Sequence, residues 1–364
     1  MINLSSGVRR GLVCVAMVVV LVAAYPDYNG EKGRAFPCPN DDDIDPCTCT
    51  YDGTTFSLNL TCDGLTGEDQ LDQIFSSAFP VKAFTMLTLT NSNISTLTEN
   101  VFHTISFEVI MLINNQLETV DSKALSSSYS TLQSFFLTQI GGETLSLTIN
   151  DDLQQFKILT TIYISGPYDN VPTLTSATLT TAILNVHELT DLPPETFTAA
   201  TALETIIMED TKIETILEGT FSSLKSLKSL TLTGANINTL TASSMAFSSN
   251  LTLLDLHLNN INSIDKAAFQ GISGDVNIML NKNSLVELTE QPFLELLMNT
   301  TGSIDVSDNP LTCGCDLRWL VSNKDLDWAR LVGLNSACDI DGTYDKDTLL
   351  DFLEYQCSTP ASSS

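Results

Sequence analysis

Apolar and polar positions alternate along the middle of the chain in a pattern that repeats every 24 residues. Three clear copies begin at Leu203, Leu227 and Leu251, and each has apolar residues at its positions 1, 4, 6, 11, 14 and 19. Side chains of a β-strand point alternately to opposite faces, so apolar positions 4 and 6 predict a short strand with one buried face. A unit this short buries a core only by stacking on its neighbours, so the constant period predicts a solenoid of parallel strands.

The copy that begins at Leu251 reads L-x-x-L-x-L-x-x-N-x-I-x-x-I-x-x-x-x-F, and this pattern resembles the leucine-rich repeat. The resemblance implies an α/β solenoid: a leucine-rich-repeat horseshoe with a parallel β-sheet on its concave face and loops or short 3₁₀ turns on its convex side. We expect about ten repeats within residues 83–311, whose position 4 is occupied by Leu87, Ile110, Phe135, Ile162, Ala182, Ile206, Leu230, Leu254, Ile278 and Ile304.

The period is less regular between Phe135 and Ala182, and residues 141–152 match no position of the repeat, so we expect them to bulge out. Position 9 is usually Asn, whose amide can pair with backbone groups of the turn and of the next repeat. His187 replaces that Asn in one repeat, which favours a structural role for it. The repeats that keep the residue have Asn115, Asn259, Asn283 and Asn309.

The N-terminus predicts secretion. Arg9 and Arg10 precede an apolar stretch over residues 12–22, and Ala24 completes a small-residue cleavage site, so residues 1–24 have the features of a signal peptide. An uncleaved anchor is the alternative interpretation. The tail, residues 358–364, is polar and has no lipid-anchor signal. We therefore expect a secreted, extracellular protein without a membrane anchor.

Apart from Cys14 in the signal segment, the cysteines form two groups of four that flank the repeats. An even number of cysteines in a secreted chain predicts disulfide bonds. Zinc coordination is the alternative, but neither group has a nearby His, and the compartment is oxidising. The groups are Cys38, Cys47, Cys49 and Cys62, then Cys313, Cys315, Cys338 and Cys357.

These two ends resemble the cysteine-rich caps of secreted extracellular leucine-rich-repeat proteins. The N-terminal segment and cap would span residues 25–82, and the C-terminal cap, with Asn309-Pro-Leu-Thr-Cys313-Gly-Cys315 at its start, residues 312–357. In such caps the first cysteine pairs with the third and the second with the fourth. The resemblance therefore implies the disulfides Cys38–Cys49, Cys47–Cys62, Cys313–Cys338 and Cys315–Cys357. We expect Trp319 to plug the last repeat under a short helix that contains Leu349, Leu350, Phe352 and Leu353.

The run from Pro37 to Cys49, followed by Leu58-x-Leu60-x-Cys62, also resembles a group of secreted arthropod leucine-rich-repeat proteins. That group includes the non-catalytic subunit of a secreted luciferase. The resemblance implies a scaffold that binds and supports a small secreted catalytic subunit, has no cofactor and is not an enzyme. The alternative is a soluble immune or extracellular-matrix recognition protein that binds microbial or cell-surface ligands.

Charge and candidate chemistry narrow the choice of partner. A net charge of −28 argues against nucleic acid and anionic membranes, which bind clustered Lys and Arg. The acidity provides solubility or, alternatively, steers a basic partner. His103, His187 and His257 occur without a zinc-protease or hydrolase motif. Asp255 and His257 form a candidate acid–base pair, and residues 41–45 a candidate calcium loop; in both cases we favour a solvated surface and expect no metal.

The outward residue between positions 4 and 6 offers a better candidate for function. A contiguous exposed apolar patch usually marks a partner surface, and the second to sixth repeats present one at this position. The alternatives are that the irregular segment 141–152 covers this stripe or that an error of register misplaces Phe136 and Tyr163. The candidate partner-binding residues are Met111, Phe136, Tyr163, Ile183 and Ile207.

Four Asn-x-Ser/Thr sequons lie in the expected mature chain. In a secreted protein each is a candidate site for an N-linked glycan. They begin at Asn59, Asn93, Asn250 and Asn299.

Overall fold

The computed structural model describes residues 36–121, 123–150, 152–323 and 325–334, together with 338, 351, 353–355 and 357. The expected signal peptide (1–24) and tail (358–364) lie outside the described residues, as do Leu349, Leu350 and Phe352 of the expected C-terminal helix.

One long sheet of thirteen strands connects the two ends of this described region. Its strands in chain order are β1 (Thr48–Asp52), β2 (Ser57–Asp63), β3 (Ala83–Thr90), β4 (Ser106–Ile113), β5 (Ser134–Thr138), β6 (Thr161–Gly166), β7 (Thr181–Val186), β8 (Thr205–Glu209), β9 (Ser229–Thr233), β10 (Leu253–Asp255), β11 (Asn277–Met279), β12 (Ile304–Asp305) and β13 (Leu331–Val332). β1 and β2 form an antiparallel hairpin, and all later neighbours in the sheet are parallel. The predicted solenoid with a parallel sheet is confirmed.

The residues at position 4 of the repeats form the inner face of this sheet. All ten are buried, and burial of a Leu or Ile side chain stabilises the fold by about 1.5–3 kcal/mol. Phe135 pairs in register with Ile162, and Ile162 with Ala182. The alignment therefore holds through the irregular region of the chain, and the alternative of a register error there is excluded.

Short strands that follow the main strands form two smaller parallel sheets. One contains Thr96–Leu97, Thr119–Val120 and Thr148–Ile149, and the other contains Thr239–Leu240 and Ser263–Ile264. The expectation that all of residues 141–152 bulge out is wrong, because Thr148 pairs with Thr119 and Leu147 is buried in the core. Only residues 141–144 form a fully exposed tip.

Helices are few and short among the described residues. Those with described bounds are α1 (Asp41–Ile44), α2 (Glu68–Ser76), α3 (Glu290–Asn299) and α4 (Trp319–Ser322), and 3₁₀ turns occur at Ser126–Ser128, Leu153–Gln155, Pro194–Phe197, Cys315–Arg318 and Trp328–Arg330. Residues 351, 353–355 and 357 are also helical. Apolar rings fill the core behind the sheet. For example, Phe75 of α2 packs edge-on against Phe102, with ring centroids 5.0 Å apart.

The Asn residues at position 9 link successive repeats from inside. Asn259 Nδ2 donates to the carbonyl oxygen of Leu232 in the preceding repeat at 2.7 Å, and its Oδ1 accepts from Ile237 N at 3.3 Å. Asn115, Asn283 and Asn309 are buried and make similar bonds to the preceding repeat. His187, by contrast, is exposed, so the structural role predicted for it is wrong.

Four disulfides lie at the two ends of the solenoid, with the pairing that the resemblance implies. Each end of a repeat stack leaves apolar core and sheet edge uncovered, and a disulfide contributes about 2–4 kcal/mol there. Trp319 is buried as expected, and its Nε1 donates to Leu288 O at 2.9 Å. The bonds are Cys38–Cys49, Cys47–Cys62, Cys313–Cys338 and Cys315–Cys357, with Cα–Cα distances of 5.7, 4.0, 5.5 and 5.6 Å.

Candidate protein-binding face

The outward residues between positions 4 and 6 lie side by side across the concave face in one unbroken row. Each is the registered partner of the next across the parallel strands. Neighbouring strands lie about 4.8 Å apart, so the apolar stretch from Met111 to Ile207 extends about 19 Å. We call this set the central row: Thr88, Met111, Phe136, Tyr163, Ile183, Ile207, Thr231, Asp255, Met279 and Asp305.

The exposure of the apolar stretch differs from expectation. Phe136, Ile183 and Ile207 are half-buried and reach the surface, but Met111 and Tyr163 are only 5% and 7% exposed. The expectation that all five are exposed is wrong for these two, because neighbours about 4.8 Å away on both sides cover long side chains. The Phe136 and Tyr163 rings, for example, have centroids 6.0 Å apart.

On four of the five strands of the apolar stretch, a small hydroxyl residue lies two positions before the residue of the central row; Val109 takes this place before Met111. Because these Ser and Thr side chains are short, the larger side chains of the central row extend beyond them. The face therefore has an apolar ridge with a polar border. They are half-buried and consist of Ser134, Thr161, Thr181 and Thr205.

The irregular segment does not cover this ridge. Its tip, residues 141–144, is exposed, and the chain then joins the smaller sheet at Thr148, away from the main strands. Phe136, the aromatic residue nearest in sequence to the tip, keeps some of its surface in solvent. Neither alternative to an accessible apolar face is therefore supported.

The C-terminal half of the concave face is mostly polar and acidic, with Met279 between Asp255 and Asp305 in the central row. Asp255 and Asp305 continue the central row. Glu209 and His257 lie on the same face, two residues after Ile207 and Asp255. Burial, reinforced by the charges of Asp210 and Asp255, raises the pKa of the Glu209 carboxyl. We call Glu209, Asp255, His257 and Asp305 the acidic end.

Asp255 and His257 interact closely, yet their geometry is that of a turn. Asp255 Oδ1 lies 2.6 Å from His257 Nδ1 and also accepts from His257 N at 3.1 Å; the hydrogen bond raises the pKa of His257. Two repeats later, Asp305 Oδ1 accepts from both the N and the Oγ of Ser307 in the same way. The repeated contact supports a structural turn over the alternative of acid–base catalysis.

No group of three or more potential metal ligands occurs among the described residues. In the candidate calcium loop, Asp43 Oδ2 accepts from Asn40 Nδ2, and the acidic run forms the exposed first turn of α1. His103 pairs with Asp72 at 2.9 Å on the surface.

Three of the four candidate glycan sites are exposed. Asn93, Asn250 and Asn299 lie at the surface, whereas Asn59 is 8% exposed on β2 and its Oδ1 is fully buried. A glycan on Asn59 does not fit the folded chain, so the structure argues against this site. Sequence alone identifies the motif without revealing that this Asn lies within a sheet.

Models of known families match two regions of the chain. A model described as leucine rich repeat matches residues 178–237, and one described as BspA type leucine rich repeat region, with six copies, matches residues 54–165. These ranges contain strands β2 to β9 of the long sheet except for Gly166, the last residue of β6.

The chain has a leucine-rich-repeat fold.

Among curated relatives, the chain is 29% identical over 307 residues to the oplophorus-luciferin 2-monooxygenase non-catalytic subunit of Oplophorus gracilirostris, covering 82% of this chain and 83% of the relative. Among solved structures, it is similar to a chain in an octameric complex of Latrophilin 3, Unc5D and the leucine-rich-repeat region of FLRT2. The TM-score is 0.51 at 16% identity, with 75% of this chain and 87% of that chain covered, which supports the leucine-rich-repeat fold. None of the helices in the described residues is long and apolar enough to cross a membrane.

Proposed function

We propose that this leucine-rich-repeat chain is a secreted, non-catalytic scaffold whose concave face binds a second secreted protein. We further propose that this partner is a small catalytic subunit, such as a luciferase. The chain itself performs no chemistry and needs no cofactor.

The accessible apolar ridge is the observation on which this proposal depends. Phe136, Ile183 and Ile207 reach the surface from adjacent or near-adjacent strands of one continuous sheet. Apolar side chains held in this way lose little conformational freedom on binding, so their burial contributes to affinity. The disulfide-linked ends keep the sheet in shape and fit an oxidising, extracellular environment.

Similarity to the non-catalytic subunit supports the same role. It covers 82% of this chain and includes most of the repeats. The name of that relative describes a subunit of a monooxygenase that does no catalysis itself. A non-catalytic role for the present chain agrees with the turn geometry of Asp255 and His257, because their close contact on the concave face is structural.

A soluble immune or extracellular-matrix recognition protein is the second candidate. It would use the same apolar face but would act alone, binding microbial or cell-surface ligands. The two functions differ in whether a second chain accompanies this one in fixed ratio.

Co-purification from a secretory source separates them. We expect a small catalytic chain to elute with this protein in constant stoichiometry through gel filtration and ion exchange, and the separated partner to retain turnover. A protein that elutes alone but binds glycans or receptor ectodomains would favour the second candidate. Turnover by the pure chain would contradict both.

A further inference from the structure

The concave face changes chemistry halfway along, and this change specifies the partner more closely. We propose that the face binds a protein segment that carries an apolar stretch beside a cluster of Lys or Arg side chains. The apolar stretch contacts Phe136, Ile183 and Ile207, and the cations contact the acidic end. This inference rests on the proposed function, because it assigns the partner chemistry of the same face.

Within the described residues, the carboxylates of the acidic end have no Lys or Arg partner of their own. Among the described residues, lysine ion pairs join Lys123 to Glu99, Lys212 to Glu188 and Lys228 to Glu204, and none of them includes a residue of the acidic end. Glu209 and Asp305 form no ion pair with a described cation, and Asp255 pairs with His257. A partner that supplies cations here would complete the interface, whereas an acidic partner would be repelled.

The half-buried position of Glu209 strengthens this preference. Burial together with Asp210 and Asp255 raises the pKa of its carboxyl, so its negative charge is held against an unfavourable environment. His257 and Lys282 are the positive or titratable groups that act in this neighbourhood, and Lys282 is exposed at the turn of the next repeat. An incoming cation would relieve the repulsion between these carboxylates.

Leu258 adds an apolar contact at the rim of the acidic end. It is 49% exposed and has a left-handed backbone conformation, with φ of 58°. The corresponding turn residues of other repeats include Asn114, Asp210 and Gly234, which adopt this conformation at less cost than Leu. An exposed Leu beside carboxylates without a cationic partner fits a binding protein that is both apolar and basic.

The dimensions of the face set the length of a suitable probe. From Met111 to Ile207 and on to Asp305 there are eight strand intervals of about 4.8 Å each, or about 38 Å in total. A helix of about 26 residues has this length. Two synthetic amphipathic peptides of that length would share one Leu-rich face, and one half of the polar face would carry Lys in the first peptide and Gln in the second.

Binding of both peptides to the full chain would be measured by fluorescence anisotropy at several salt concentrations. We expect the Lys peptide to bind at least about tenfold more tightly than the Gln peptide at low salt, and the difference to shrink as salt rises. In the double variant Glu209→Gln/Asp255→Asn this preference should fall about fivefold or more. The control Glu214→Gln/Glu218→Gln changes two exposed carboxylates of the repeat that contains Glu209, with the same change in net charge, and should keep the preference.

Equal losses in the two double variants, or no loss in either, would overturn the inference, because the attraction would then be general to an acidic protein. The variant Phe136→Ser/Ile207→Ser tests the proposed function separately and should weaken both peptides alike. If it has no effect while the Lys preference still depends on Glu209 and Asp255, the apolar docking surface is wrong and the acidic contact stands. Circular dichroism of each variant would verify that it is folded.

Discussion

Substitution of Asn283 by Ala tests how the repeats are held together. Asn283 Nδ2 donates to Leu256 O and Leu280 O, each at 3.0 Å, and Oδ1 accepts from Ile261 N at 2.9 Å. The substitution leaves both carbonyls one other partner, since Asn259 donates to Leu256 O and Asn309 to Leu280 O. Ile261 N, however, loses its partner inside the core.

The expected loss follows from this difference. An orphaned buried donor costs about 1–3 kcal/mol, and each of the two weakened carbonyl contacts adds about 0.5 kcal/mol. We therefore expect Asn283→Ala to lower the free energy of unfolding by about 2–4 kcal/mol in urea denaturation followed by circular dichroism. Asn260→Ala, at an exposed position one repeat earlier, is the control and should change it by less than about 0.5 kcal/mol.

Asn283→Asp sharpens the test. The carboxylate can still accept from Ile261 N but donates nothing, and it places a negative charge against two carbonyl oxygens, so the loss should exceed that of the Ala variant. If Asn283→Ala is as stable as the control, or Asn283→Asp is the more stable of the two, the bonds of this Asn do not stabilise the stack and the reasoning is refuted.

Three further outcomes are expected. Gly302→Ala should destabilise the chain by about 1–3 kcal/mol in the same assay, because the added Cβ would lie 2.1 Å from Val276 O; unchanged stability would contradict this close approach. NMR titration of His257 should give a pKa above the ordinary value of 6.5, and Asp255→Asn should lower this pKa. The stability that His257 contributes is therefore present below pH 6.5 and is lost as the pH rises through the raised pKa. Mass spectrometry of the secreted chain should find no glycan at Asn59. Every glycan that it finds should be attached to Asn93, Asn250 or Asn299.

Sequence predicted the fold well because the apolar period reports directly on which side chains face the core. The alignment on position 4 remains correct where the spacing falls to 20 residues, between Ile162 and Ala182, since the strands there still pair in register. The cap cysteines pair as the resemblance to capped repeat proteins implies.

The candidate face was less predictable because alternation tells which way a side chain points, not how much of it stays exposed. Met111 and Tyr163 point outward yet are covered by neighbours from adjacent strands. His187 is exposed although counting from position 4 puts it where Asn is usually buried, because strand β7 continues to Val186 and that residue is buried just before it. Such effects depend on contacts between repeats, which one chain's periodicity does not contain.

The affinity of the co-purified partner for concave-face variants tests the central claim most directly. Truncation of a half-buried apolar contact costs about 1 kcal/mol, so Phe136→Ser/Ile183→Ser/Ile207→Ser should weaken binding by about 3 kcal/mol, or roughly 150-fold in Kd. Leu217→Ser removes an apolar side chain that is 53% exposed and lies outside the long sheet, and it should leave the affinity unchanged. If the triple variant binds as tightly as Leu217→Ser, the partner binds elsewhere and the concave face is not the docking surface.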